Sequence, residues 1–261
     1  MEKHYAAIDE VLYHVGFAKK DLQGATMAIL PGDPGRVESI ARALGTDCQY
    51  ITSHREYTSW LTTVEGTRIL VCSTGMGGPS VAICLEELAR MGIEKVIRVG
   101  TTGSIQESVN PGEVIITQAS VRLDGTSRHF APEVFPAVAD FELLLALKQA
   151  AEKVGAPYHI GITASSDTFW PGQERYDSFT GRVRKELVGS MEEWQALGVL
   201  NYEMETAPLF VTCSALGIKA AAVEGVVVKR TDSEAVLPNV YDIAMGHIFA
   251  LVKQAVIALN A

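Results

Sequence analysis

The sequence predicts an α/β fold in one domain, with a largely parallel or mixed sheet. Two observations lead to that class. Short β-branched runs alternate with longer stretches of helical periodicity along the chain, the pattern of strands covered by helices. Clusters of Gly, Pro and Ser fall directly after predicted strands, at 31–35, 75–80 and 100–104. Open α/β sheets turn from strand to helix and bind ligands at that end, and glycine lets backbone approach a ligand closely. No internal repeat, low-complexity tract or polar linker divides the 261 residues, a length that one large domain accommodates.

The elements follow in order. Residues 26–30 (TMAIL) form an apolar strand, and the turn PGD leads into a helix over 34–44. Strands are expected at 48–53, 57–64 and 68–73, the middle one rich in Thr, Trp and Val. A helix over 79–91 starts on Pro79, which suits a first turn, and stops at Gly92. Strands at 95–99 and 113–119 precede a helix at 140–154 and a strand at 158–163. A short helix at 192–197 and a small-residue helix at 205–216, stopped by Gly217, lead to a strand at 219–228 and a last helix at 240–259.

Composition narrows the function. A hydrophobic fraction of 48% and a mean hydropathy of +0.15 exclude intrinsic disorder. The 31 acidic and 22 basic residues give a net charge of −9, against the basic excess of a protein that binds nucleic-acid polymers. No apolar run is expected to reach the ~18 uncharged residues of a membrane span. The first nine residues, MEKHYAAID, lack the build of a signal peptide. Cys48, Cys72, Cys84 and Cys213 form no CxxC pair, and Cys72 and Cys84 lie in apolar runs that suit buried reduced thiols. A soluble cytoplasmic protein, without membrane or nucleic-acid partner, is expected.

Five segments carry candidate chemistry. In PGDPGR (31–36) a strand runs through a Gly turn into a helix, whose N–H groups and Arg36 make an anion site; alternatively Arg36 is a solvated surface residue. In VIRVGTTG (96–103) Arg98 interrupts a β-branched run, and a buried guanidinium must meet a carboxylate or an anionic ligand. Two arginines, the Thr101 and Thr102 hydroxyls and Gly turns describe a site for phosphate or a phosphoester; without GxxxxGK[ST] or GxGxxG, a nucleoside triphosphate or dinucleotide is disfavoured. SHREY (53–57) is either a solvated hairpin edge or the source of an arginine, Arg55, acting across a subunit boundary.

In SSDTFWPGQERYD (165–177) Phe169 or Trp170 can stack on a planar base. Gln173 offers a donor and an acceptor and Arg175 donors only, which suits the uracil edge of two carbonyls flanking an N–H; a surface loop with an apolar anchor is the alternative. In NYEMETA (201–207) Glu203 and Glu205 flank Met204 ahead of a helix: carboxylates for a cis-diol and a thioether for a sugar face, or alternating glutamates on a solvated turn.

The sequence STGMGGPS (73–80) with Glu86-Glu87-Leu88, together with the GDPGR, RVGTTG, TFWPGQERYD and NYEMET segments, resembles the nucleoside phosphorylase-I family from about His14 to about Arg230. The resemblance is closest to its uridine-cleaving bacterial members. It implies one α/β domain whose mixed sheet is partly closed into a barrel and flanked by helices. It implies reversible phosphorolysis of uridine to uracil and ribose 1-phosphate, in pyrimidine nucleoside salvage and catabolism, on a homohexamer built as a trimer of dimers. By that likeness Gly32, Arg36, Arg98 and Thr101 hold inorganic phosphate, with Arg55 from a neighbouring subunit. Glu203, Met204 and Glu205 hold ribose, with a neighbour's His14 at the 5′-hydroxyl. Thr102, Gly103, Phe169, Gln173 and Arg175 form the uracil pocket, walled by Val227 and Val228. Arg36, Arg98, Gln173, Arg175 and Glu205 carry catalysis. No cofactor is required; a structural potassium ion between subunits would lie at Glu56, the Met76 carbonyl and Ser80.

Three departures stand out. Lys229 replaces an expected Asn, and a lysine argues against the purine chemistry for which relatives place an acid there. The segment TDSEAVLPN (231–239) differs and is expected to form a flap over the site, and residues 1–13 are expected to form a disordered tail. The rival activity is a purine or broad-specificity nucleoside phosphorylase; a non-catalytic nucleoside or phosphate sensor and a nucleoside hydrolase rank below it.

Overall fold

Every position of strand β1 (Met27–Pro31) is buried, because it runs between two helical layers and its side chains alternate between them. Ala28 and Leu30 face one apolar core, and Met27 and Ile29 the other, the period of two that a pleated strand imposes. The structure, a computed structural model, describes residues 3–232, 234–235 and 237–260. The other strands are β2 (Thr46–His54), β3 (Tyr57–Val64), β4 (Thr67–Cys72), β5 (Lys95–Ser104), β6 (Val114–Leu123), β7 (Ala137–Val138), β8 (Tyr158–Ser166), β9 (Asn201–Glu203) and β10 (Lys219–Lys229). The helices are α1 (Val37–Leu44), α2 (Gly78–Met91), α3 (Phe141–Val154), α4 (Ser190–Ala196), α5 (Thr206–Leu216) and α6 (Val240–Leu259).

The strands form one sheet in the order β10-β6-β8-β9-β5-β1-β4-β3-β2, and β10 also pairs with β5. That extra pairing closes β5, β10, β6, β8 and β9 into a barrel, with β1, β4, β3 and β2 as its open extension. Pairing is mixed: β1 runs parallel to β4 and β5, whereas β10 is parallel to β5 and antiparallel to β6. Helices α2 and α5 cover one face, sharing a core with Val96 and Ala222; α1, α3 and α6 cover the other, with Ile97 and Val223. By alternation, Arg98 and Glu224 project on the α2/α5 side.

The expected α/β class and partly closed barrel are present, as are all six helices. Three expectations need correction. The glycines at 100–104 do not form a loop; they continue β5, because the barrel wall brings backbone and neighbouring side chains too close for larger residues. A β-carbon on Gly103 would stand 2.9 Å from Val228 Cγ2. Strands β7 and β9 lie in stretches where none was expected.

The segment 3–13 is no disordered tail. Ala6 is buried and its N–H donates to the Arg90 carbonyl at 2.9 Å, Glu10 pairs with Arg90 at 3.0 Å, and Leu12 joins the α2/α5 core. Helix α6 is by length and composition apolar enough to cross a membrane, with a mean hydropathy of 1.5, although Asp242 and Lys253 leave it without the uncharged run expected of a membrane span. Its apolar face packs into the core through Ala244, Ile248, Leu251, Val252 and Ala255.

Candidate active site

The site forms where β5 and β10 carry charge into the apolar layer beneath the N-termini of α2 and α5. Arg98 is 5% exposed, so its charge must be met within the protein. Its Nη2 donates to Glu205 Oε2, and its Nε lies 3.8 Å from Glu203 Oε2. Both glutamates are buried and are placed by α5: Glu205 is its N-cap residue, and Glu203 ends β9 just ahead of it. Burial pushes Arg98 down, but the Glu205 and Glu203 carboxylates outweigh that and hold it above its ordinary value. Arg98 Nε and Nη1 have no hydrogen-bond partner among the described residues.

Around this arginine lie the residues expected to hold an anion. A β-carbon on Gly32 would fall 3.9 Å from Arg98 Nη1 and 3.3 Å from the Gly75 carbonyl, a tight fit that glycine leaves open. Arg36, in the turn after β1, reaches Thr101 Oγ1 at 3.4 Å and lies 3.7 Å from Asp33. Gly32, Arg36, Arg98 and Thr101 are therefore neighbours, as expected. Arg55 is not among them on this chain. It sits at the turn between β2 and β3 with φ +56°, donates to Tyr13 Oη at 3.2 Å and stacks on that ring.

His14 lies in the same patch as Arg55. Its carbonyl accepts from His54 Nδ1 at 2.9 Å, and its ring meets Tyr13 edge-on. Glu87 fixes the segment, accepting from the His14 and Val15 backbone N–H groups and contacting His14 Nδ1 at 2.7 Å.

The two glutamates of NYEMET differ in role. Glu203 accepts from the backbone N–H of Glu205 and of Thr206 and from Thr206 Oγ1, so it caps α5. Burial, reinforced by Glu205, raises its pKa despite Arg98. Glu205 accepts from Gly77 N–H at 2.6 Å, at the N-cap of α2, in addition to Arg98. Met204 between them is half-buried.

The expected base-binding residues also converge. Gln173 is buried; its Oε1 lies 3.5 Å from Arg175 Nε, and its carbonyl accepts from Arg230 Nη1 at 2.7 Å. The Arg175 guanidinium lies 4.4 Å above the half-exposed Phe169 ring. Val228 pairs with Gly103, next to Thr102, whose hydroxyl donates to the Tyr202 carbonyl at 2.6 Å. Val227 is the bulged residue between Val226 and Val228.

Residues that sequence reasoning did not single out lie against Arg175. Arg230 and Arg175 share the carboxylate of Glu234, and these three line a cleft of ≈ 590 Å³ together with Tyr176 and Met191. Burial and Arg230 lower the Arg175 pKa. Glu234 belongs to the expected flap at 231–239, of which Ser233 and Val236 lie outside the described residues. Lys229 does not face the base pocket: its Nζ donates to the Glu107 carbonyl at 2.6 Å and to Asn110 Oδ1 at 3.2 Å. Of the residues expected around potassium, Glu56 Cγ and Ser80 Oγ lie 2.8 and 3.2 Å from the point a Gly75 β-carbon would occupy, and Ser80 Oγ donates to the Met76 carbonyl at 3.0 Å. A carboxylate, a carbonyl and a hydroxyl are the donor types of a hard cation.

The chain matches the Phosphorylase superfamily over residues 26–256. It is 56% identical over 228 residues, covering 87% of this chain and 89% of the relative, to a uridine phosphorylase of Escherichia coli (strain K12). A uridine phosphorylase of Thermococcus kodakarensis is 42% identical, with 85% of this chain and 79% of the relative covered. A guanosine phosphorylase of Halorubrum lacusprofundi is 34% identical, with 82% and 85% covered.

Proposed function

The chain belongs to the phosphorylase superfamily, and on that premise we propose that it catalyses the reversible phosphorolysis of uridine to uracil and ribose 1-phosphate. The observation that carries the reading is a set of three linked compartments: the Gly32–Arg36–Thr101 cradle and the Glu203–Met204–Glu205 step, which both adjoin Arg98, and the Gln173–Arg175 pair, tied to β5 through Arg230 beside Gly103. Their chemistry suits phosphate, ribose and uracil in turn. Curated relatives named uridine phosphorylase at 56% and 42% identity support the same substrate.

Phosphate held against Arg36 and Arg98 attacks C1′ from the face opposite the base. The C1′–N1 bond breaks as the C1′–O bond to phosphate forms, and the bond pair leaves on uracil N1, which takes up a proton afterwards. Holding the two reactants in line supplies much of the acceleration. The phosphate dianion offsets oxocarbenium charge on the sugar, while Arg175 and Gln173 donate to the uracil oxygens as negative charge develops there. Inversion at C1′ follows, with no protein nucleophile.

The oligomer belongs to the same proposal. His14 and Arg55 lie together on a surface patch, where they contact His54 and Tyr13 rather than Arg36 or Arg98, which suits residues delivered to a neighbour's site in a homohexamer. Glu56, the Met76 carbonyl and Ser80 would hold a potassium ion at such a boundary, where it would act as a structural counter-charge. A cytoplasmic location fits four free cysteines, three of them buried.

The deciding experiment incubates the protein with uridine, thymidine, inosine, guanosine and adenosine, each with and without phosphate, and measures released base. Uracil released from uridine only when phosphate is present is the expected result. Release without phosphate would overturn phosphorolysis, and preference for a purine nucleoside would overturn the substrate.

A further inference from the structure

Glu224 belongs to none of the three compartments and yet is completely buried beside them. It sits on β10 in register with Gly100 of β5, two residues beyond the Ala222–Arg98 pair, so Arg98 and Glu224 share a face of the barrel. The missing side chain of Gly100 makes room for both. Glu224 Oε1 and Arg98 Nη2 lie 3.4 and 3.6 Å from the point a Gly100 β-carbon would occupy. Glu224 Oε2 accepts from Asn201 Nδ2 at 2.7 Å, and the same amide donates to Thr102 Oγ1 at 2.8 Å. Thr163 Oγ1 fixes that amide by donating to Asn201 Oδ1 at 2.8 Å. One buried acid thus braces the strand stretch 100–102 behind both the phosphate cradle and the base pocket.

The charged groups facing Glu224 are Arg98 from β5, Glu203 from β9 and Glu205 at the cap of α5. From α6, Ala244 and Ile248 meet β10 at Gly225 and add only apolar contact. Three carboxyl groups around one guanidinium carry an excess of negative charge that a water-poor cluster does not hold ionised. Hydrogen bonding identifies the one that keeps its proton. Glu203 accepts from three donors, and Glu205 from Gly77 and from Arg98 directly. Glu224 has a single donor, Asn201, and its Oε1 has no partner among the described residues. An ion so poorly served is unfavourable, whereas a neutral acid is tolerated.

We propose that Glu224 is a positioning residue of the phosphate site that works uncharged, bracing Gly100 and Thr102 behind Arg98 without competing with phosphate for that guanidinium. The proposal rests on the phosphorolysis reading for its kinetic consequence but not for the state of the acid. Burial, with Glu203 and Glu205 adding to it, also drives the group well above the usual carboxylate range.

The test compares E224Q with E224A. Glutamine keeps the volume, the absence of charge and an acceptor for Asn201, so E224Q should fold and keep kcat and the phosphate KM within about twofold of wild type between about pH 6 and pH 8. E224A leaves one of the two Asn201 Nδ2 hydrogens unpaired, the other still donating to Thr102, and should raise the phosphate KM about tenfold, the effect of one buried polar group losing its partner, with a smaller rise in the uridine KM. A structural role alone would move both KM values alike or neither. The state of the acid is read separately by infrared spectroscopy on resting protein without nucleoside. The wild-type minus E224Q difference should show the carbonyl stretch of a protonated carboxylic acid, shifted in D₂O.

Carboxylate bands in its place, an E224Q protein that fails to fold, or a phosphate KM that changes strongly on amidation would each overturn the proposal. An E224A phosphate KM equal to wild type would overturn the positioning role. A wild type inactive on uridine would refute the phosphorolysis reading while leaving the spectrum intact.

Discussion

Replacing Arg98 by methionine removes the cation that Glu203, Glu205 and Glu224 share, while keeping a side chain of similar reach. Deleting one partner of a buried ion pair costs about 3–5 kcal/mol, because the remaining charge stays buried without compensation. In a chain of this size each kcal/mol moves the melting temperature by roughly 2–4 °C, so R98M should melt about 6–20 °C below wild type. A total stability of about 5–15 kcal/mol leaves most of the protein folded.

The pH dependence follows from the sign of the remaining shifts. Burial already raises Glu203, and without Arg98 nothing cationic offsets it. A carboxyl whose folded pKa lies above its unfolded value of about 4.3 stabilises fully below that value and loses the contribution as pH rises through the folded pKa. The deficit of R98M relative to wild type should therefore be smaller near pH 5 and larger near pH 8, read as urea midpoints at the two values. Phosphorolysis should fall by about 10²–10³-fold, since charge stabilisation of the reacting phosphate is lost. An R98M protein as stable as wild type, or a deficit that grows on acidification, would refute the buried cluster.

Two further outcomes test the neighbouring compartments. R175A should lower kcat/KM for uridine by about 10²-fold with the phosphate KM unchanged, because Arg175 faces the leaving base rather than the cradle; equal loss on both substrates would show a collapsed site instead. R55A and R98A, each inactive alone, should regain part of the activity when co-assembled, since a mixed oligomer rebuilds some sites with both arginines intact. Absence of any regain in verified mixed oligomers would count against sites shared between subunits.

Arg98 was legible because a single charge stood in the apolar run VIRVG, and burial compelled a partner. Glu224 carries the same signal in AAAVEGVVV, but no nearby Gly-Thr motif marks it, and its meaning depends on which strand lies alongside. Only the β5–β10 pairing that closes the barrel sets it beside Gly100. The same closure explains why 100–104 read as a loop: glycines that mark turns in an open sheet here allow Val228 and Glu224 to approach β5. Strand β9, three residues long, is too short to show alternation. The segment 3–13 has little apolar pattern because it docks through isolated residues such as Ala6 and Leu12 and through backbone bonds to α2.

The functions of the paired glutamates separate once their acceptor capacity is considered. An ionised carboxylate offers about four lone-pair sites. Glu203 uses three of them on Glu205 N–H, Thr206 N–H and Thr206 Oγ1, so capping α5 leaves little for a ligand. Glu205 uses one on each oxygen, for Gly77 N–H and for Arg98, and retains two that match the two hydroxyl donors of a cis-diol. Within the proposed reaction, ribose recognition therefore falls mainly to Glu205, and Glu203 serves it indirectly by fixing the helix end from which Glu205 projects. Because the same Glu205 pairs with Arg98, a sugar that takes up its free lone pairs also weakens its hold on the guanidinium, and that charge then turns more fully to phosphate. In the proposed reaction, sugar and phosphate binding would in this way be coupled through one side chain, linking ribose recognition to the Arg36–Arg98 cradle.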